Sequence, residues 1–150
     1  MITGFEEKTQ PLTHFEETIL VPLIVKTWNG KPYGEEGLTK MSDMVQGTKT
    51  YLYGASKNDS ARKKVKGITG VRLRRVIHYI RAQGLVKGLV ANSKGYYKTE
   101  DPDEIKDYIL SCYQRSNSFL STAKSMERQY RDLQKLQLNK SQTSINQKEE

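Results

Sequence analysis

The sequence predicts a mainly α fold with a small β-hairpin, followed by a long C-terminal helix. Three observations carry this. A capped amphipathic helix occupies residues 69–83, a Leu/Val run and a Tyr-Tyr run flank an Asn-Ser-Lys-Gly turn directly after it, and apolar residues then recur in steps of four and three from Ile105 to Leu133. At 150 residues the chain is long enough for one domain with a core and an appendage, and short of two full-sized domains.

The first twelve residues form a flexible lead-in. A helix begins at Thr13-His14-Phe15-Glu16, a capping box in which the Thr13 hydroxyl accepts an amide one turn on and Glu16 reaches back to the cap. Phe15, Ile19, Leu23 and Ile24 recur at helical spacing and predict the buried stripe, with His14 on the surface. Pro22 kinks or divides this helix, which ends near Trp28 before the breakers Asn29-Gly30-Lys31-Pro32. A second, short helix is capped by Thr39, carries Met41, Met44 and Val45 on one side, and ends near Gly47. Residues 48–67 have no clear pattern; their basic second half, Ala61-Arg62-Lys63-Lys64-Val65-Lys66, could be a short helix preceding the next one.

That next helix carries the most information. Thr69 is its N-cap and Gly84 the left-handed residue that stops it. Leu73, Val76, Ile77 and Ile80 fall at i, i+3, i+4 and i+7 and define the buried side. Val71, Arg75, His78 and Ala82 point away from it, with Arg72, Arg74 and Tyr79 on the flanks. Arginine on the open side of a helix suits a major groove, because a guanidinium can donate two hydrogen bonds to guanine O6 and N7 or pair with phosphate, and the helix N-terminus offers amides to phosphate. The bland alternative is a helix whose arginines serve only solubility. After it, residues 85–91 read as a strand, 92–95 as a turn and 96–99 as the return strand. A helix followed directly by such a hairpin is the winged helix-turn-helix arrangement. Ser93 and Lys94 at the hairpin tip are then placed to touch the phosphate backbone, and Lys63 and Lys64 add charge beside the helix.

The charge distribution agrees. Twelve Lys or Arg and one acid, Asp59, lie between Lys57 and Lys98, a net +11, leaving thirteen basic and sixteen acidic side chains elsewhere. The whole basic excess belongs to one patterned stretch, which favours a polyanionic partner.

Asp101-Pro102-Asp103-Glu104 is a helix start, with Asp101 as cap, Pro102 in the first turn and acids favoured by the helix dipole. From it Ile105, Ile109, Cys112, Ser116, Phe119, Ala123, Met126, Tyr130 and Leu133 trace a heptad seam through residues 101–138, and Ile109, Cys112, Phe119, Met126, Tyr130 and Leu133 are the candidate dimerisation residues. A homodimer would supply two recognition helices for two half-sites. Alternatively, the first turns pack on the chain's own globular part and the rest extends. Residues 139–150 are polar and expected to be disordered.

The segments Val71-Arg72-Leu73-Arg74-Arg75-Val76-Ile77-His78-Tyr79-Ile80-Arg81, Gly84-Leu85 and Ser93-Lys94-Gly95-Tyr96-Tyr97, with the acidic lead into the last helix, resemble winged helix-turn-helix proteins of phages and prophages. The resemblance spans roughly residues 12–126. It implies a winged domain over 13–100, the arginine-bearing helix at about Thr69 to Gln83 as the recognition helix, and the Gly-Tyr-Tyr strand closing the wing, with a long 48–67 connection as the departure from that pattern.

Other classes find little in the sequence. The longest apolar run, residues 19–25, has seven residues and contains Pro22, too short for a membrane span. The single Cys112 forms no intramolecular disulfide and no CxxC knuckle, in keeping with the cytoplasm of a bacterial host. No nucleophile elbow, phosphate loop or HExxH is present, and Glu16, Glu17, Glu35 and Glu36 read as caps and loop charges. No enzyme activity, cofactor, metal or small-molecule substrate is expected. The expected partner is double-stranded DNA, bound by a sequence-specific regulator or a phage replication factor. An adaptor docking an acidic protein and an RNA-binding protein are the competing expectations; reversing charge at Arg72, Arg74 and Arg75 separates the first of these from DNA binding.

Overall fold

The computed structural model describes residues 10–55, 58, 60 and 67–146. Lys63 and Lys64, the short helix considered for the basic run, and most of the lead-in lie outside these residues. The chain divides into two units, Met1–Ile105 and Lys106–Glu150.

The capping box forms as expected: the Glu16 amide donates to Thr13 Oγ1 at 3.2 Å, and the Thr13 amide donates to Glu16 Oε2 at 2.9 Å. Glu16–Leu20 is then a π-helical segment that runs into α1, Val21–Asn29. Pro22 has no amide to give, and the Val21 amide reaches back five residues to the Glu16 carbonyl. This wide turn shifts the helix face by about one residue. Leu20, Val21, Ile24 and Trp28 are buried, while Phe15 and Ile19 are 41% and 40% exposed. The stripe expected at Phe15, Ile19, Leu23 and Ile24 is thus corrected at its N-terminal half, because a regular 3.6-residue period does not hold through residues 16–20.

A 3-10 turn, Glu35–Gly37, leads to α2, Met41–Ala55. Met41, Met44 and Val45 pack against the core as expected. The helix passes the expected stop at Gly47 and continues to Ala55. Glycine costs a helix about 1 kcal/mol but does not end one. Here the next turn has reason to form, since Thr48 is buried one turn after Met44 and its hydroxyl donates to the Met44 carbonyl at 2.9 Å.

Helix α3, Gly70–Ala82, begins where Thr69 Oγ1 accepts the Arg72 amide at 3.2 Å. It ends in a Schellman closure: the Gly84 amide bonds the Arg81 carbonyl (3.0 Å), the Leu85 amide bonds the Ile80 carbonyl (3.0 Å), and Gly84 has φ +63°. Leu73, Val76, Ile77 and Ile80 are all within 1% of full burial and meet Leu20, Ile24 and Trp28 in one core.

Strands β1, Leu89–Ala91, and β2, Tyr96–Lys98, pair antiparallel with Leu89 opposite Lys98, Val90 opposite Tyr97 and Ala91 opposite Tyr96. The first strand begins four residues later than expected, because residues 85–88 turn the chain and Gly88 has φ +65°. Asn92 shapes the tip, its Oδ1 accepting the amides of Lys94 (2.8 Å) and Gly95 (3.1 Å). Thr39 adds a bridge on the other edge: its amide and carbonyl both bond Tyr96, at 2.8 and 3.0 Å. The Trp28 and Tyr96 rings, 6.2 Å apart at 54°, join α1 to β2.

The second unit is the body of α4, Pro102–Asn146. Asp101 caps it, accepting the Asp103 amide at 2.9 Å. Its 45 residues span about 68 Å at 1.5 Å per residue. The helix continues past residue 138, so the expected disordered tail is corrected as far as Asn146. Polar composition removes a reason to pack, but residues 103–150 contain neither Gly nor Pro to stop a helix. Among the described residues no helix is long and apolar enough to cross a membrane.

Candidate nucleic-acid interface

The open side of α3 is built by what lies beneath it. With Leu73, Val76, Ile77 and Ile80 locked in the core, Val71, Arg74, Arg75 and His78 must project outward, and together they line a shallow depression. Arg74 and His78 are exposed and Arg75 is half-buried. A second depression adjoins it, shared by Arg75, His78, Tyr79 and Ala82 with Pro11, Leu12 and Glu17. The surface therefore pairs a cationic centre with one acidic edge at Glu17.

Arg72 does not belong to this surface. Its Nε donates to Glu16 Oε1 at 2.8 Å and an Nη donates to Glu16 Oε2, a bidentate pair whose side chains are only 11% and 6% exposed. The same guanidinium bonds the carbonyls of Gln10 (3.2 Å) and Pro11 (2.9 Å). Arg72 thus ties the first helix and the chain before it to α3. A helical wheel places Arg72 and Arg74 on equivalent flanks, and only the packing of the first helix tells them apart. The signal available was Glu16 itself, a capping carboxylate with spare acceptor capacity beside an apolar stripe.

Tyr79 is also partly engaged, its hydroxyl donating to Glu17 Oε1 at 3.3 Å. Partial burial and the Glu17 charge raise the Tyr79 phenol above its ordinary pKa. Thr69 is occupied as the cap, so its contribution to an anion would come from the helix start. At the hairpin tip Ser93 and Lys94 are exposed, and Lys94 approaches Glu35 at 3.8 Å across solvent, a contact too open to hold the lysine.

Two further cations are structural, and sequence reasoning gave them no role. Arg81 donates from Nε to the Leu89 carbonyl at 2.8 Å and lies 5.3 Å over the Tyr96 ring, fastening α3 to the hairpin. Lys98 is buried, donates to the Asn29 carbonyl at 3.4 Å and sits 4.5 Å over the Tyr33 ring. Neither adds to an external cationic face.

The Glu16–Arg72 pair sets a pH dependence. Burial works to raise the Glu16 pKa, but hydrogen bonds from Arg72 and the Thr13 amide, with the Arg72 charge, bring it below the usual 4.5. A carboxyl whose folded pKa is lowered stabilises the fold above its unfolded pKa, and this contribution is lost as pH falls through the lower folded value. Glu16→Gln should therefore cost roughly 2 kcal/mol at pH 7, since it leaves a largely buried guanidinium without its counter-ion. The difference from the unmodified chain should shrink as urea titrations are moved below about pH 4.5. A gap that stays constant from pH 7 to pH 3 would show that the charge of Glu16 is not what matters.

Among the described residues no group of three or more His, Cys, Asp or Glu could hold a metal ion. Compared with family models, curated proteins and solved structures, the chain matches none.

Proposed function

We propose that the chain binds duplex DNA as a winged-helix protein, with the outer face of α3 in the major groove and the hairpin tip on the phosphate backbone. The observation that carries this is the placement of Arg74, Arg75 and His78 on the open side of a helix whose other side is the core. A rigid helix that offers guanidinium groups holds them in place for base edges and phosphates without ordering a loop. The element order also supports it: helix, bridging Thr39, helix, α3, then a two-stranded hairpin whose edge Thr39 completes. Within this reading, Arg74 and Arg75 read bases or phosphates, Lys94 and Ser93 contact backbone, and Arg72 positions α3. The biological setting this suits is a sequence-specific regulator or a phage replication factor.

The test is binding of the full chain to a labelled random-sequence duplex pool over a salt series. With about four phosphates neutralised, affinity should fall roughly 100-fold between 50 and 200 mM salt, because counterion release makes the logarithmic slope about −0.9 per phosphate. Enrichment of a discrete motif marks a sequence-specific protein. Absence of binding at the lowest salt overturns the proposal and favours an acidic protein as the partner of the same face.

A further inference from the structure

Taken alone, α4 exposes large apolar side chains along its length, from Ile109 at 47% to Phe119 at 77%. They follow a heptad seam whose two positions differ in size. One carries Ile109, Ser116, Ala123 and Tyr130, the other Cys112, Phe119, Met126 and Leu133. We propose that α4 is covered by the α4 of a second copy, running antiparallel, in the register that sets Phe119 beside the partner's Ala123.

The sizes choose the direction. In a parallel pair each core position meets itself, so Ser116 and Ala123 would form hollow layers and Phe119 and Tyr130 crowded ones, both unfavourable for packing. In the antiparallel register each small residue meets a large one: Phe119 lies beside the partner's Ala123, Met126 beside the partner's Ser116 and Tyr130 beside the partner's Cys112. Leu133 beside the partner's Ile109 completes a set of layers of similar volume. The flanking positions agree. Leu120 meets the partner's Leu120 and Leu136 meets the partner's Tyr108, which gives cover to two exposed leucines that the seam itself leaves out. No like charges face each other there, Arg115 being beside the partner's Gln129 and Lys106 beside the partner's Gln134.

Charge along the helix has the same sense. Asp103, Glu104 and Asp107 outweigh Lys106 in the first turns, whereas Lys124, Arg128, Arg131, Lys135 and Lys140 outweigh Glu127 and Asp132 farther on. Antiparallel pairing brings the acidic end alongside the basic one and opposes the helix dipoles, whereas parallel pairing stacks like on like. The inference stands on α4 alone and holds whether or not α3 binds DNA. It places the starts of the two α4 helices, at Pro102, about 57 Å apart along the axis, at 1.5 Å per residue.

Cys112, the only cysteine of the chain, makes the direction measurable. In the antiparallel register the two Cys112 thiols are about 27 Å apart along the axis, whereas in a parallel pair they share one layer. The full chain should sediment as a dimer, twice 17.2 kDa, and a short bis-maleimide should fail to join the wild-type protomers. The same reagent should join the Tyr130→Cys variant, through Cys112 of one protomer and the new thiol of its partner. A Ser116→Cys/Met126→Cys variant in a Cys112→Ser background tests the register without altering Tyr130 and should also be joined. A monomeric mass, wild-type protomers joined through Cys112, or failure of both variants to be joined would overturn the proposal.

Discussion

Reversing both outward arginines, Arg74→Glu/Arg75→Glu, should lower affinity for duplex DNA by more than about 100-fold while leaving the fold in place. Each guanidinium in contact with a base edge or phosphate is worth roughly 1–3 kcal/mol, and tenfold in affinity corresponds to about 1.4 kcal/mol. Two lost contacts therefore account for about 100-fold before the repulsion of two introduced carboxylates is counted. Among the described residues neither guanidinium is paired with a carboxylate. Arg74 is exposed and Arg75 half-buried, so the unfolding free energy should change by no more than about 1 kcal/mol. Titration of a labelled duplex at two salt concentrations, with circular dichroism as the control, checks both halves. Binding retained within threefold at unchanged helicity would remove the outer face of α3 from the interface.

The same experiment on Arg72 should read out differently, and the contrast bears on what a sequence can reveal. All three arginines fall within one turn of α3, and a wheel sets Arg72 and Arg74 on equivalent flanks of the outward Arg75. Arg72→Ala should lower stability first, because it frees Glu16 from a largely buried ion pair, and affect DNA only through the position of the helix. Local signals were legible where the chemistry is local: the Thr13–Glu16 box, the Thr69 cap, the Gly84 stop and the Asp101 start each involve residues within a few positions of one another. The buried side of α3 was legible for the same reason, since one regular helix carries it.

What was not legible depends on partners distant in sequence or on departures from a regular period. The π-helical turn at residues 16–20 moved burial from Ile19 to Leu20, and no composition rule announces such a turn. Gly47 reads as a stop until Thr48 is seen packed beneath the next turn. The bridge at Thr39 is one residue long, so it leaves no alternating pattern to detect. Among the described residues the polar end of α4 is exposed through residue 142, and a sequence cannot distinguish an exposed polar helix from an absence of helix.

A glycine within the hairpin gives the second large effect. Gly88 has φ +65°, and a Cβ built there would stand 1.9 Å from the Thr99 carbonyl oxygen and 3.1 Å from the carbonyl carbon. Thr99 is buried, and its amide donates to the Gly88 carbonyl at 2.9 Å, so the two backbones are held together at the base of the hairpin. Gly88→Ala must push them apart, and with them the neighbouring Val86 and Leu89 of the core. Left-handed backbone costs a non-glycine residue about 1–2 kcal/mol, and steric overpacking adds about 1–3 kcal/mol. A total near 4 kcal/mol should lower the melting temperature by more than about 15 °C for a unit of this size. Gly84 provides the control: its φ is +63°, but nothing lies within 4 Å of its virtual Cβ. Gly84→Ala should therefore cost only the backbone part, about 1–2 kcal/mol. Thermal unfolding followed at 222 nm compares the two variants directly. Equal destabilisation would mean that the hairpin base can open without loss, and that the close approach of Gly88 to Thr99 is not what holds the two ends of the hairpin together.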